Sequence, residues 1–399
     1  MQSSRSPKDT SVKFFTSEMV GAPSLSEAAG TLIGVLSACL VNGFGMQQVS
    51  SFVVTQGLGQ ITVPVATGWK RMCVIDVAGC TDASYNGEYK LTQVSADGLR
   101  VSFPIDAPDG TVLGAAITVK LAPAGWLLRF ADPATNKAVY MPGTPQWAGH
   151  CLRVQDPQGT HSFVRGYESM SDVDTGLGMF PTTAQVATSA WSKASGTARP
   201  ARWLVVADER LMYVGLMPVV SSTESRVASP MRWFGRFDAL NASDMHAVSV
   251  SVQLDTLSFA SESWHSGAAS LCTAAVSKNI WVARSLDGAI MSQGAFVSLL
   301  APYAAASGED GYCGSATGVG VGNLVGAQKF LRVAVGSYPR AKMPAIMHLM
   351  HTGVEVLTPG PAVVDIGGRL HWLFAGSSAS GTNAEWRRIC AIDVEGPWS

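Results

Sequence analysis

The stretch SLSEAAGTLIGVLSACLVNG, residues 24–43, predicts the one helix of a chain that otherwise reads as strands. Ser24 or Ser26 is expected as the N-cap, and Glu27 falls in the first turn, where free amides favour a carboxylate. Gly43 is expected to end the helix. Apolar side chains recur at spacings of three and four residues, which is the period of an amphipathic helix. They are Leu25, Ala28, Ala29, Leu32, Val35, Leu36, Cys39 and Leu40.

Small residues fill much of the remaining helix circumference, so the predicted helix can be approached on two sides. We therefore expect it to pack on its own domain and on a neighbouring subunit. Trp and Arg are enriched at the cores of protein interfaces, which makes the Trp/Arg strands further contact candidates. The predicted interface side chains are Phe14, Phe15, Leu32, Leu36, Leu40, Trp203 and Trp233.

Composition points to a covered surface. Charged residues make up 14% of the 399 residues and hydrophobic residues 47%, whereas ordinary soluble proteins carry about 25% charged residues. Coverage by other subunits explains the low charge, and a large apolar core is the competing explanation. The net charge of −1 disfavours a nucleic-acid partner.

No membrane span or secretory signal is predicted. The apolar run 31–41 is shorter than the about 20 residues of a membrane span. Residues 1–10 do not resemble a secretory signal and are expected to form a flexible arm.

The seven cysteines are odd in number and scattered, and most lie in apolar runs. Buried free thiols from a reducing cytoplasm are expected rather than disulfides. The seven are Cys39, Cys73, Cys80, Cys151, Cys272, Cys313 and Cys390.

The predicted fold class is mainly β, in three parts. Residues 1–46 hold an arm, a short strand at 12–16 and the helix, and serve as an assembly anchor. Residues 47–122 contain six short strands with Asn-Gly and Asp-Gly turns, which is typical of a small antiparallel barrel or sandwich. Residues 123–399 contain over a dozen short strands without long helical periods, which favours a large antiparallel sandwich.

Asp172 and Asp174 are the clearest metal candidates, because alternating aspartates before Gly176 begin like a calcium loop. The EF-hand pattern needs an oxygen ligand at position five and a Glu at position twelve. Gly176 and Thr183 occupy those positions. An acidic turn whose side chains accept hydrogen bonds from backbone amides is therefore the preferred interpretation.

Two further motifs resemble sites without matching them. His348 and His351 would lie one helical turn apart on a helix, but no HExxH frame surrounds them, and on a strand they would face opposite ways. The glycine-rich stretch 314–326 lacks the lysine and the strand and helix of a phosphate loop, so a surface loop is favoured. No cofactor is predicted.

No nucleophile motif is recognisable: the stretch 376–381 departs from the Gly-x-Ser-x-Gly frame, and Cys313 reads as an exposed thiol. Paired carboxylates for glycan cleavage carry no diagnostic spacing in a sequence. The available candidates are more simply explained as polar side chains that face solvent; they are Asp208, Glu209, Asp238 and Asp244.

Several blocks along nearly the whole chain resemble tail and baseplate virion proteins of Mu-like tailed bacteriophages. The most specific are the first, with Phe14-Phe15 and Met19–Pro23, and the third, 38–45. The others are 29–33, 86–89, 120–126, 165–176, 180–181, 197–200 and 396–398.

The resemblance implies a non-enzymatic subunit of the phage tail tip or baseplate, made in the host cytoplasm and assembled into the virion. Its partners would be copies of itself, other tail proteins and a host surface receptor. A glycan-binding or glycan-cleaving receptor-binding tail protein is the alternative from another functional class. A head decoration or capsid protein is the second alternative, since strand-rich chains of low charge occur there as well.

Overall fold

The computed structural model describes residues 7–144, 149–194, 200–217, 231–252, 280–284, 290–298, 326–333, 339–349, 363–366, 369–375 and 389–398. Within these ranges the chain consists mainly of antiparallel strands, with one short α-helix. The predicted mainly-β fold class is confirmed. No helix of the described residues is long and apolar enough to cross a membrane.

The helix is shorter than predicted. Helix α1 (Thr31–Ser37) continues into a π-helical turn (Ala38–Asn42) and ends before Gly43, whose φ of 69° interrupts it as expected. The predicted start at Ser24 or Ser26 is wrong, because residues 24–30 form a bridge and turns and Gly30 is left-handed, with φ 77°. The first helical amides are instead capped by a carboxylate from a distant strand, described below.

Residues 44–121 form two small sheets and, among the described residues, no closed barrel, so the sandwich alternative holds. One sheet has the order β2-β10-β5-β6 and the other β7-β8-β4-β3-β9. Phe52 contacts Tyr85 and Phe103 between them, with ring centroids 6.0 and 5.9 Å away. The strands are β2 (Phe44–Gln48), β3 (Ser51–Thr55), β4 (Leu58–Thr62), β5 (Val74–Ala78), β6 (Gly87–Lys90), β7 (Gln93–Val94), β8 (Arg100–Pro104), β9 (Gly110–Thr111) and β10 (Thr118–Leu121).

A five-stranded sheet follows, with the order β11-β12-β13-β14-β17. Between β14 and β17 in the sequence, strands β15 and β16 form a separate two-stranded ribbon. Helix α1 reaches β12 of this sheet through Ser37 Oγ, which is 2.8 Å from Tyr140 Oη. The strands are β11 (Leu127–Asp132), β12 (Lys137–Met141), β13 (Cys151–Gln155), β14 (His161–Tyr167), β15 (Ser169–Met170), β16 (Gly176–Leu177) and β17 (Ala190–Ser192).

The largest sheet joins both ends of the chain. Strand β1 (Lys13–Thr16) is its first strand and pairs with β18, with Phe14 opposite Val206, so the N-terminal strand belongs to the C-terminal sheet. The order is β1-β18-β19-β20-β22-β23-β24-β25-β26-β29-β28-β27, and β21 pairs with β26. The strands are β18 (Arg202–Ala207), β19 (Leu211–Met217), β20 (Met231–Arg236), β21 (Asp238–Ala239), β22 (Val248–Ser251), β23 (Ile280–Arg284), β24 (Ile290–Ser298), β25 (Gly326–Val333), β26 (Pro339–Leu349), β27 (Val363–Ile366), β28 (Arg369–Ala375) and β29 (Ile389–Asp393).

The five-stranded sheet packs on the large sheet. The Phe180 ring stacks on Phe234 of β20 with centroids 6.4 Å apart. Trp191 Nε1 donates a 2.6 Å hydrogen bond to the carbonyl of Ser251 in β22. Buried aromatic side chains thus fill the space between two antiparallel sheets, which is the arrangement of a sandwich.

Candidate functional site

A polar cleft opens where the β18–β19 turn meets the end of β20 and the segment after β29. Its volume is about 590 Å³, within the range of about 300–1,000 Å³ that is typical of small-ligand sites. The lining residues come from five separate parts of the chain. They are Ser11, Thr144, Asp208, Glu209, Arg210, Arg236, Phe237, Asp238, Ala239, Ala242, Pro397 and Trp398.

The Arg210 guanidinium lies between two carboxylates in this cleft. Its Nε is 3.3 Å from Asp208 Oδ2, and its Nη1 is 3.4 Å from Asp238 Oδ1. Its Nη2 donates a 2.9 Å hydrogen bond to the carbonyl of Trp398. Arg210 therefore ties the hairpin turn, strand β21 and the segment after β29 together.

Asp208 holds the turn that presents Arg210. Its Oδ1 accepts hydrogen bonds of 2.8 Å from the backbone amides of both Arg210 and Leu211, which is how an aspartate commonly closes a turn. Burial raises the pKa of the Asp208 carboxyl, while Arg210 and the two amides oppose that shift. Because both carboxylate oxygens are engaged, Asp208 anchors the cleft rather than faces a ligand.

Asp238 and Arg236 have hydrogen-bonding capacity that the described residues do not use. Asp238 Oδ2 is buried and accepts no hydrogen bond from them. The Arg236 guanidinium is half-buried, and no ion pair or side-chain hydrogen bond joins it to another described residue. A buried acceptor without a donor is costly, but this oxygen is also closed to a ligand in the cleft, which can reach Asp238 only through the 22% of its side chain that is exposed.

Sequence reasoning found the acidic residues of this cleft without recognising that they meet. Asp208, Glu209 and Asp238 lie together, whereas Asp244 is elsewhere and forms a 2.6 Å ion pair with Arg340. Arg210, Arg236 and Trp398 were missed. The only local signal is the Asp-Glu-Arg run in a hairpin turn, since the other lining residues come from distant parts of the chain.

The predicted metal candidates form a turn. Asp172 Oδ1 accepts hydrogen bonds from the amides of Asp174 and Thr175, at 2.7 and 2.8 Å, as the acidic-turn interpretation expects. The Asp174 carboxylate is paired with Lys137 at 2.8 Å and Arg153 at 2.6 Å. The two carboxylates are thus engaged with different donors, and no group of three potential metal ligands occurs within the described ranges.

The other predicted motifs are only partly described. The backbone of His348 lies in strand β26, opposite Cys390 of β29, so the helical spacing to His351 does not apply. His351, Cys313, the stretch 376–381 and the glycine-rich stretch 314–326, except Gly326 at the start of β25, lie outside the described residues.

The seven predicted interface side chains are in the interior of the chain. Each has at most 1% of its surface exposed. Their predicted interface role therefore gains no support from this geometry, because intramolecular packing accounts for their burial. They are Phe14, Phe15, Leu32, Leu36, Leu40, Trp203 and Trp233.

The two described Arg-Trp pairs differ. Arg202 faces outward, and its Nη1 is 3.3 Å from Glu18 Oε1. Trp203 is buried, and its Nε1 donates a hydrogen bond to the carbonyl of Pro23. This matches the expected strand with one apolar face. Arg232 and Trp233 are both fully buried, so both faces of β20 are covered at that point.

Four of the seven thiols are described, and all four are free and buried, as predicted. Burial raises the pKa of Cys73 to about 12 and that of Cys151 to about 11. The pKa values of Cys39 and Cys80 are also raised by burial. A thiol that stays protonated is a poor nucleophile, so none of the four suits covalent catalysis.

Comparisons with known proteins do not identify a family for the chain. No protein-family model matches the chain, and no curated protein matches it. Among solved structures, a phage phi92 endosialidase is similar at 9% identity, with a TM-score of 0.17. The match covers 88% of this chain and 52% of the endosialidase chain, so this chain spans about half of that protein's length. A TM-score this low carries no argument about function.

Proposed function

We propose that the chain is a non-enzymatic structural subunit of a bacteriophage virion, at the tail tip or baseplate, and that it assembles through the open edge of strand β11. The sequence blocks that resemble Mu-like tail proteins supply the virion part of the proposal. The edge strand supplies the surface on which a neighbouring subunit would pair.

Strand β11 is the observation that carries the assembly proposal. It is the first strand of the five-stranded sheet, and among the described strands only β12 pairs with it. Leu127 and Leu128 are 48% and 41% exposed. An edge strand with exposed apolar side chains offers free backbone donors and acceptors to another chain. Natural proteins usually block such edges with charge, proline or a β-bulge. Strand β11 carries two charges, Arg129 and Asp132, and a register irregularity between Leu128 and Phe130.

The low overall content of charged residues and the inert side chains agree with a structural role. The chain has 14% charged residues, and subunit contacts would cover surface that a monomer would expose to water. The described thiols have raised pKa values, and Asp208 is fixed by the turn it closes. The proposal therefore assigns the chain to assembly rather than to covalent chemistry.

Quantitative mass spectrometry of purified virions tests the proposal. We expect the chain in every particle at a fixed copy number, and in tails rather than heads after the two are separated. Its absence from particles would refute the proposal, and its presence in heads alone would support the capsid alternative.

An edge variant tests the assembly surface. Leu128→Lys places a further charge on the open edge and should exclude the chain from particles, or reduce its copy number several-fold, while the purified variant keeps its fold. Leu177→Lys, at a side chain that is 73% exposed in the β15-β16 ribbon, is the matched control. Equal incorporation of both variants would show that β11 is not the assembly edge.

A further inference from the structure

We propose that His150 and His246 form a proton-operated latch between the two packed sheets, which is closed near neutral pH and opens in acid. His150 directly precedes β13 of the five-stranded sheet, and His246 lies in the loop between β21 and β22, whose second strand belongs to the large sheet. His150 Nε2 is 3.4 Å from His246 Nδ1, although the two residues are 96 positions apart in the chain. This contact defines the latch, which does not depend on the virion role.

The contact requires at least one facing nitrogen that carries no proton. A neutral imidazole has one N–H donor and one acceptor nitrogen, whereas both nitrogens of an imidazolium are donors. The pair can therefore keep its N–H···N contact with no added proton, or with one, because the charged ring then donates to the neutral ring. A second proton turns both facing nitrogens into donors, so that the contact must break.

His150 resists that second proton while the latch is closed. Only 1% of its surface is exposed, so a charge there has little contact with water. Burial, His246, Arg284 and Arg236 together lower its pKa to about 4, and Glu168 opposes this shift. An imidazolium at this position is hydrated only after the contact has opened, which couples the protonation of His150 to the opening.

His246 is the better site for the first proton, because it is half-buried whereas His150 is fully buried. Burial lowers the pKa of His246 as well, and the charged side chains that face it act in both directions. Two of them are basic and two are acidic: Arg284, Arg340, Glu168 and Asp244. The protonated His246 Nδ1 then donates to His150 Nε2, and the latch stays closed.

Two ion pairs hold the surroundings of the latch while it opens. Arg340 Nε is 2.6 Å from Asp244 Oδ2, and Asp244 Oδ1 accepts a 3.0 Å hydrogen bond from the amide of His246, so the loop stays on β26. Arg284 Nε is 2.5 Å from Glu168 Oε1, which ties β23 to the end of β14. Hydrogen bonds from Arg284 lower the pKa of Glu168, and the pKa of Asp244 is raised by burial but lowered on balance by Arg340. Both carboxylates therefore remain charged as the latch opens, and the opening is local.

NMR spectroscopy of the full-length chain, labelled at its histidine rings, tests the latch. At pH 7 we expect a nuclear Overhauser contact between the two imidazoles. The contact should persist when His246 titrates and should be lost when His150 takes up its proton, near its pKa of about 4. The Trp191 indole N–H, which donates to the carbonyl of Ser251 across the two sheets, should keep its signal throughout, because the opening is local.

His246→Gln separates the latch from simple burial of His150. A glutamine side chain has both an amide donor and a carbonyl acceptor, so it can pair with His150 in either charge state. We therefore expect the pKa of His150 to rise by about one unit or more, since the like charge beside it is gone. His371→Gln, at another buried histidine in β28, is the matched control and should leave the titration of His150 unchanged.

The proposal fails if the contact between the two rings survives in the doubly protonated pair, or if the Trp191 signal disappears together with it. It fails also if His246→Gln leaves the pKa of His150 unchanged. The first two observations concern the unmodified chain, so they decide the matter even where a variant does not fold. Incorporation into virions is measured separately and does not bear on the latch.

Discussion

The Lys193 ammonium lies 2.5 Å from Asp156 Oδ1, and neither side chain has any exposed surface. The other carboxylate oxygen, Asp156 Oδ2, accepts hydrogen bonds from the amides of Leu32 and Ile33 at the start of helix α1, at 2.7 and 3.3 Å. Lys193 also donates to the carbonyl of Ala28 at 2.9 Å. One buried pair therefore caps the helix and fixes the segment before it to the five-stranded sheet.

Lys193→Met should destabilise the chain strongly. The change leaves the Asp156 carboxylate buried without its counter-ion, which typically costs about 3–5 kcal/mol. Urea unfolding should show a correspondingly lower free energy of unfolding. The double variant Asp156→Asn with Lys193→Met should lose less than the sum of the single changes, because the two residues are in contact.

Lys137→Met is the control for this prediction. Its ion pair with Asp174 has a similar distance, 2.8 Å, but the Asp174 side chain is 51% exposed. Exposed pairs contribute about 0–1 kcal/mol, so the control should unfold close to the unmodified chain. Equal stability of the two single variants would contradict the role given to the buried pair.

The position of Asp156 explains why the helix could be only partly predicted. Three- and four-residue periodicity and Gly43 are local signals, and they located the helix core and its end. The N-terminal cap comes from a residue 124 positions away from Leu32, which no local pattern reveals. Ser26 and Glu27 looked like a cap, but left-handed Gly30 separates them from the helix.

The same distinction holds for the sheets and the cleft. Alternating side chains and Asn-Gly or Asp-Gly turns predicted short antiparallel strands, because hairpins are local. The pairing of β1 with β18 joins residues about 190 positions apart, such as Phe14 and Val206. The cleft likewise combines Asp208 with Trp398, and their spacing in the sequence carries no information about that proximity.

Two glycines of the helical segment should respond to alanine in opposite directions. Gly34 lies within α1 and has open space at the position of a Cβ, so Gly34→Ala should stabilise the chain by about 0.5–1 kcal/mol. Gly43 has φ +69°, and a Cβ there would lie 2.2 Å from the carbonyl oxygen of Leu121. Gly43→Ala should therefore lower the melting temperature and Gly34→Ala should raise it. Equal shifts in calorimetry would contradict this assignment.

The buried thiols should resist alkylation while the chain is folded. At pH 8 the pKa of about 12 for Cys73 and of about 11 for Cys151 leaves very little thiolate, and burial also blocks access. Peptide mapping after iodoacetamide should find Cys39, Cys73, Cys80 and Cys151 unmodified in the native chain and fully modified in urea. Rapid native labelling of any of the four would show that its surroundings open readily.

His150 should make the fold sensitive to acid. Burial lowers its pKa from 6.5 to about 4, with further lowering by His246, Arg284 and Arg236 and an opposing effect of Glu168. Between pH 6.5 and 4 the unfolded chain binds a proton that the folded chain does not. Above pH 6.5 the stability that depends on neutral His150 is fully present. As the pH falls from 6.5 to 4, the free energy of unfolding of the chain decreases by about 3 kcal/mol because of this group.

His150→Gln removes this titration while keeping a polar side chain of similar reach. The variant should lose less stability than the unmodified chain when urea unfolding is repeated from pH 7 down to pH 4.5, whatever its stability at pH 7. His246, Glu168 and the neighbouring arginines are common to both chains, so the difference between the two curves reports mainly on His150. Parallel curves of unfolding free energy against pH would mean that folding does not lower the pKa of His150, and would contradict this prediction.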